Sequence, residues 1–539
     1  MSGPAGPTEP PWRQSRGYLA EFPPKRWHKV TIALCAAAVY LVGVTDHWWP
    51  TPDSALYQGL GRSIVRGEGY RFNGEINTDV TPGMPMILGA LRAVFGDGFL
   101  APNLFVTLSG LLSLYLAYLT LARLTDRRMA IAVVLGVAAC YRYFHYSHLI
   151  LTDATFSALF WSFAYVSVRF LQGSFGWLLA AVGLAVAAVT VRAPGLLIIG
   201  PFAAGVLLHR DSPAGPLKRA VGAGAVLGGV GALAAALYLL ARSVSKATPL
   251  YVNPRIMESG VLGRLGRLVD GLYELPAELA RMFAGQPHRL LGAALCLLAI
   301  LGMLSLWRQG RRLSAVTCAL CVLGSSFLGG GGAVRARYMM AIFPLFLFVI
   351  LHGLCRTVEL GHRWSTRPTK PKAFLIAVTV FLSCLIAANL PKVLRDGVYY
   401  SYAAYTGRYY EVIRDGDFVD LHTVAASLRD RFGPETLIAT RGDRASILHF
   451  LSERRMVRFL RTERQTAADA EAVYDDLLAR TDIEAVVTDA GGTPEPFRRT
   501  LEELLSAGGA RVIYHGRYCK IHDWPAARGA PRPERGPSP

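Results

Sequence analysis

Asp53 opens the stretch Asp53-Ser54-Ala55-Leu56-Tyr57 just after the first apolar run, and Asp153 follows Thr152 at the head of a later one. Arg192 stands just past the apolar run 175–191. Arg335, Arg337 and Tyr338 come after four consecutive glycines at 329–332. Two carboxylates on separate loops can supply a general base and an orienting partner. Two or three guanidiniums can hold a phosphate bidentately and stabilise negative charge as it develops. Each residue also has a plainer reading. Either aspartate could be a helix N-cap, worth about 0.5–2 kcal/mol. The arginines could be span-end anchors that snorkel to headgroups. Tyr57 and Tyr338 could stack on a sugar or belong to an interfacial aromatic belt.

The elements that must position these residues are membrane spans. Of 539 residues, 52% are hydrophobic and 18% charged, below the quarter or so usual for soluble chains. The deficit is concentrated between 30 and 390, where long apolar runs recur. The net charge of +19 sits largely in short loops beside those runs, where it sets orientation, so nucleic acid is not an expected partner. About eleven spans are expected, near 30–47, 99–121, 129–149, 154–172, 175–191, 194–209, 219–241, 288–307, 313–329, 338–355 and 373–391. With the N-terminus inside, each long cytoplasmic loop is basic, from Arg123/Arg127/Arg128 to Arg356/Arg363/Arg367/Lys370/Lys372. Counting 82–96 as a further span would reverse that pattern. It and 259–283, where leucines repeat opposite Arg264, Arg267 and Asp270, are therefore expected to be interfacial helices.

An odd count places the C-terminal region outside the cell membrane. From Leu421 onward helix-like and strand-like pieces alternate, which predicts a small α/β domain. The expected organisation is a cytoplasmic tail at 1–29, a membrane catalytic domain at 30–391, an extracytoplasmic α/β domain at 392–523 and a Pro/Arg-rich tail at 524–539. Seven of the eight cysteines lie in apolar segments, and Cys318-x-x-Cys321 sits among Ala, Leu and Val, so packing explains it better than redox chemistry. His145 and His148 lack a third ligand at metal-site spacing, so no metal or other cofactor is expected, and any divalent-metal dependence is left open.

Acids and guanidiniums gathered at one membrane face suit a substrate with an amphipathic phosphate leaving group, such as a polyprenyl-phosphate sugar. The chain resembles the GT-C superfamily of lipid-phosphate-sugar glycosyltransferases, close to glycosyltransferase family 39, which includes protein O-mannosyltransferases and the lipid A aminoarabinose transferase. The matching residues are Asp53-x-x-x-Tyr57, Gly67-x-Gly69-Tyr70, Thr81-Pro82-Gly83-Met84-Pro85 opening a helix that ends at Phe95-Gly96, Thr152-Asp153, and Arg337-Tyr338 with Pro344. The resemblance implies a GT-C-like polytopic helical fold and a hexosyl- or pentosyltransferase that inverts the anomeric centre. It implies Asp53 as the base, Asp153 as its assistant, and Arg192 and Arg337, with Arg335 beside them, on the lipid phosphate. Partners would be the polyprenyl-phosphate sugar, membrane lipid and an extracytoplasmic glycan, glycolipid or protein acceptor. The chain departs from some relatives in carrying Ser54 directly after the first acid and Thr81 before the proline. A transporter or flippase of lipid-linked sugars is the alternative. It would show internal repeats and ionisable residues deep within spans.

Overall fold

A computed structural model describes residues 26–78, 80–172, 176–192, 195, 199–200, 215–244, 261–309, 319, 337, 339–364, 371–413, 417–440, 442–458, 467–480, 482–489, 495–516 and 519–524. In chain order the described elements begin with α1 (Arg26–Val42), α2 (Pro52–Val65), β1 (Arg71–Phe72), β2 (Glu75–Ile76), α3 (Gly83–Phe95) and α4 (Leu100–Leu124). There follow α5 (Arg127–Ala139), α6 (Tyr141–Tyr146), α7 (Thr152–Gln172), α8 (Gly176–Val191), α9 (Pro216–Val244), α10 (Val261–Ala284), α11 (Arg289–Arg308), α12 (Phe343–Trp364) and α13 (Pro371–Leu394). A π-helical turn (Arg395–Tyr399) leads to α14 (Tyr400–Tyr405), α15 (Tyr409–Val412), α16 (Asp417–Arg431), β3 (Leu437–Thr440), α17 (Gly442–Ser452) and β4 (Arg455–Arg458). The last described elements are α18 (Ala467–Ala479), β5 (Ile483–Asp489), α19 (Glu495–Ala507), β6 (Arg511–His515) and β7 (Cys519–Asp523).

The chain divides into two compact units. The first holds 1–45, 78–84 and 100–399, and the second holds 46–77, 85–99 and 400–539. Among the described residues of the whole chain, five helices are long and apolar enough to cross a membrane: Leu100–Arg123, Thr152–Leu171, Arg289–Arg308, Phe343–Gly361 and Lys372–Tyr405. They coincide with five of the expected spans. Apart from residues 195, 199–200 and 319, the expected spans at 194–209 and 313–329 lie outside the described residues, as does the Cys318/Cys321 pair. The expected span 129–149 is not one helix. It breaks at Cys140, whose ψ of 120° is extended. The amide of Tyr141, beside the break, is satisfied by Asn389 Oδ1 at 3.0 Å. A break inside apolar packing is tolerable only when the backbone groups near it find partners, and an asparagine on α13 was invisible to any local hydropathy pattern.

In the first unit α7 is deeply enclosed, with Phe156, Phe160, Trp161 and Phe163 buried along it. Helices α11 and α12 approach through Gly302 and Gly353, where an added Cβ would strike the facing carbonyls of Val349 and Leu298. Small residues at such a crossing let helix backbones touch where no water drives them together. Helix α10 carries Pro276 within it. Beyond that proline Ala277, Glu278, Leu279, Ala280, Met282 and Phe283 are buried, whereas Val269, Leu272 and Tyr273 before it are exposed.

The second unit is a five-stranded mixed sheet in the order β4-β3-β5-β7-β6. The pairs β3/β4 and β3/β5 are parallel, and β5/β7 and β6/β7 antiparallel. Val473, Tyr474, Leu477, Ile483, Val486, Phe497, Leu501 and Leu505 form its core. The alternating helices and strands expected from Leu421 onward are present among the described residues, ending in the paired strands β6 and β7. The segment 46–77 packs into this unit. β1 and β2 form a hairpin whose turn residues Asn73 and Gly74 have φ of 58° and 81°, the left-handed pair that a two-residue Asn-Gly turn requires. Asn73 then clasps Met456 by two 2.7 Å bonds, donating through Nδ2 to its carbonyl and accepting its N–H through Oδ1. Arg62 on α2 and Arg66, its C-cap, meet Glu453, just after α17, at 2.7 and 3.0 Å.

Candidate active site

Asp153 lies in the first turn of α7, where the unpaired N–H groups of a helix start favour a carboxylate. Its side chain is completely buried and holds two arginines. Arg192 Nη1 donates to Oδ1 at 2.7 Å, and Arg337 donates to Oδ2 through Nε at 3.2 Å. The same Arg192 nitrogen donates to the Thr152 hydroxyl at 2.7 Å.

Packing fixes both arginines. Arg192 follows α8, its amide donating to Ala188, and its carbonyl accepts from the Gly195 N–H at 2.8 Å. That bond is possible because Gly195 has no side chain, since a Cβ there would enter the ring of Phe156, three residues along α7 from Asp153. Arg337 precedes a turn over 339–342, which Trp161 of α7 grips through a 2.9 Å bond from its indole to the Ala341 carbonyl. The Thr81–Met84 segment joins the same packing. A Cβ at Gly83 would lie 2.7 Å from the Thr190 carbonyl, and Thr155 Oγ1 lies 3.9 Å from Met84 Sδ. Tyr146, buried on α6, is within electrostatic reach of Asp153, Arg337, Arg142 and Glu278.

The expected site residues therefore fall into three sets. Asp153, Arg192 and Arg337 meet in the first unit. Asp53 and Tyr57 lie one turn apart on α2 in the second unit. Arg335 and Tyr338 lie outside the described residues. Asp53 is not the N-cap of its helix. Thr51 holds that position, accepting from the Ser54 N–H at 3.1 Å, while Ser54 returns its hydroxyl to Thr51 in a capping box and accepts from the Trp48 indole at 2.9 Å. The residue that replaces the second acid of some relatives thus completes a helix start. Asp153 likewise sits inside the first turn of its helix.

Sequence reasoning missed Glu278, which is buried and paired with Arg281 at 2.5 Å. The available signal was Pro276, a proline where the amphipathic pattern of α10 turns from an exposed to a buried face. Among the described residues no group of three His, Cys, Asp or Glu side chains converges as metal ligands would.

The geometry can be set beside known proteins. Residues 79–238, which include Asp153 and Arg192, match the family described as dolichyl-phosphate-mannose-protein mannosyltransferase. The crystal structure of ArnT from Cupriavidus metallidurans in the apo state is similar with a TM-score of 0.53 and 16% identity, covering 93% of this chain and 99% of that one. The structure of ArnT from Cupriavidus metallidurans bound to undecaprenyl phosphate gives a TM-score of 0.55 and 14% identity, covering 93% and 98%. No curated protein matches in sequence. Residues 79–238 thus resemble that mannosyltransferase family, and the chain as a whole shares the fold of ArnT.

Proposed function

We propose that the chain moves a sugar from a polyprenyl-phosphate donor to an acceptor hydroxyl on the extracytoplasmic side, with inversion. The observation that carries this reading is the convergence of Arg192 and Arg337 on the buried Asp153. One carboxylate facing two guanidiniums leaves the trio with one positive charge, in a low-dielectric setting where charge acts strongly. A phosphate matches such a fork bidentately. ArnT, which shares the fold, has been crystallised with undecaprenyl phosphate.

In the proposed step Asp53 removes the acceptor proton, the acceptor oxygen bonds to the anomeric carbon, and the bond from that carbon to the phosphate oxygen breaks. The electron pair leaves with the polyprenyl phosphate, an anion that needs no protonating acid and is stabilised by Arg192 and Arg337. Asp153 acts on the two arginines as a positioning residue. The N-terminus is cytoplasmic and the sheet-bearing C-terminal region extracytoplasmic. The acceptor is a glycan, glycolipid or protein hydroxyl. The helix break at Cys140 is a feature that a carrier of lipid-linked sugars would share, so the test must separate transfer from translocation.

That test supplies purified protein in vesicles with polyprenyl-phosphate sugars and extracts of the cell envelope as acceptor. Wild type should release polyprenyl phosphate and glycosylate an acceptor. The Asp53→Asn variant should lose about 100- to 10,000-fold in rate, the usual worth of a general base, while keeping its affinity for polyprenyl phosphate. Movement of intact donor across the bilayer without sugar transfer would reject the enzyme reading. Wild-type turnover in Asp53→Asn would remove that residue from the chemistry.

A further inference from the structure

Arg142 on α6 has a guanidinium with nothing to hold. It faces the Tyr141 ring at 5.8 Å from the ring centre. Among the described residues it has no hydrogen-bond or ion-pair partner, and its Nε is buried and unbonded. The arginines around it are committed: Arg192 and Arg337 to Asp153, Arg281 to Glu278, and Arg395 to Asp396. Asp396 takes Arg395 Nε at 2.9 Å and the Tyr141 hydroxyl at 2.6 Å, with His145 Nδ1 at 3.3 Å. Lys392, which donates to the Ala284 carbonyl at 2.9 Å, meets Arg142 as a like charge. Arg142 therefore keeps its full positive charge. A buried donor left unbonded costs stability, and a bound anion removes that cost.

Its position joins Arg142 to the Asp153 site. Residues four apart on a helix share a face, and Tyr146 stands four residues after Arg142 on α6. The buried Tyr146 is within electrostatic reach of Arg142, Asp153 and Arg337 alike. The third guanidinium and the trio are thus gathered near one side chain of the first unit.

The charges of the reaction give a third guanidinium its task. A polyprenyl-phosphate sugar is a phosphodiester with a single negative charge, which the single net positive charge of the trio matches. When the bond from the anomeric carbon to the phosphate oxygen breaks, the electron pair stays on that oxygen. The product is a monoester that carries a second negative charge above about pH 6. That charge grows only as the bond breaks, so a cation kept for it lowers the barrier without tightening donor binding.

We propose that Arg142 is a third phosphate-binding guanidinium of this site, engaging the charge that develops on polyprenyl phosphate as the sugar leaves. The proposal rests on the transfer reaction described above. Within it, Arg192 and Arg337 hold the phosphate throughout, whereas Arg142 tells product from donor.

Two probes test this by their binding to the purified full-length protein: undecaprenyl phosphate, and its methyl ester, which cannot take the second charge. At pH 8 wild type should bind undecaprenyl phosphate about tenfold or more tightly than the ester. The preference should fade below about pH 6, where the monoester is protonated. Arg142→Gln should lose about ten- to a hundredfold in affinity for undecaprenyl phosphate at pH 8 and bind the ester as wild type does. Unchanged ester binding also reports an intact fold. Arg142→Lys should keep the preference, and Arg337→Gln should weaken both probes. In the transfer assay Arg142→Gln should lower kcat with the donor KM unchanged. Equal losses for both probes, or no loss for either, would overturn the proposal, as would a raised KM at normal kcat. Binding that needs Arg337 but not Arg142 would reject this inference alone; binding of neither probe by wild type would reject the transfer reading with it.

Discussion

Changing Asp153 to asparagine tests whether the carboxylate serves the two arginines or acts for itself. The substitution keeps the shape and removes the charge that meets Arg192 at 2.7 Å and Arg337 at 3.2 Å. Removing one partner of a buried ion pair usually costs about 3–5 kcal/mol, because the remaining charge is stranded. The lower part of that range is expected, since Arg337 is 20% exposed and solvent screens it. The trio then changes from one positive charge to two. A phosphate roughly 5 Å from the former carboxylate would be spared about 3 kcal/mol of repulsion at an effective dielectric of roughly 20. Part of that gain is spent re-ordering arginines that have lost their tether.

Thermal unfolding in detergent, with and without undecaprenyl phosphate, separates the terms. Without lipid the Asp153→Asn variant should melt well below wild type. Added lipid should raise its melting temperature by more than it raises that of wild type, because the lipid supplies the missing negative charge. Arg337→Gln should show the reverse, a modest loss of stability and a much smaller lipid-induced shift. If the lipid stabilises Asp153→Asn no more than wild type while stabilising Arg337→Gln fully, phosphate binding lies elsewhere and the reasoning from charge fails.

Other expectations concern the scaffold. Thr51→Ala removes the capping box ahead of Asp53 and should lower stability by about 1 kcal/mol, seen as an earlier denaturation midpoint; no change would mean that the Trp48–Ser54 bond carries the helix start alone. Glu453 is partly buried, which raises its pKa, but bonds from Arg66 and the nearby Arg62 outweigh this and hold it below the usual glutamate range. A depressed folded-state pKa means stability that is fully present above the unfolded-state value near 4.5 and is lost as pH falls through the folded-state value. Glu453→Gln should therefore flatten that acid limb of the stability–pH curve. Gly302→Ala should disrupt the α11–α12 crossing and cut the yield of folded protein. Normal yield and melting would show that the helices can part without loss.

The membrane class and the C-terminal domain were legible because each rests on local pattern. Apolar runs of span length need no long-range partner, and alternating helix and strand signals after residue 420 mark every element of the sheet except β7. That strand, Cys519–Asp523, pairs with both β5 and β6, and its sequence Cys-Lys-Ile-His-Asp is too polar to stand out. The hairpin at 71–76 was legible in principle through Asn73-Gly74, but its role was not. Asn73 matters because it clasps Met456 nearly four hundred residues away.

The trio at Asp153 shows where sequence reasoning stops in physical terms. Residue type named Asp153, Arg192 and Arg337 as candidates, but each fitted equally well as a cap or an anchor at a helix end. What separates the readings is burial, because an anchoring arginine reaches toward water, whereas Arg192 is 9% exposed and bonded to a carboxylate that is completely enclosed. That burial comes from residues with no chemistry of their own: Gly195 making room for Phe156, Trp161 holding the turn after Arg337, and Gly83 lying against Thr190. Removing any one of these packing contacts should loosen the two guanidiniums while leaving their charge in place. Phe156→Ala is therefore expected to weaken undecaprenyl phosphate binding without changing a charged residue. A variant that melts lower yet binds the lipid as wild type does would show that the arginines are held by Asp153 alone.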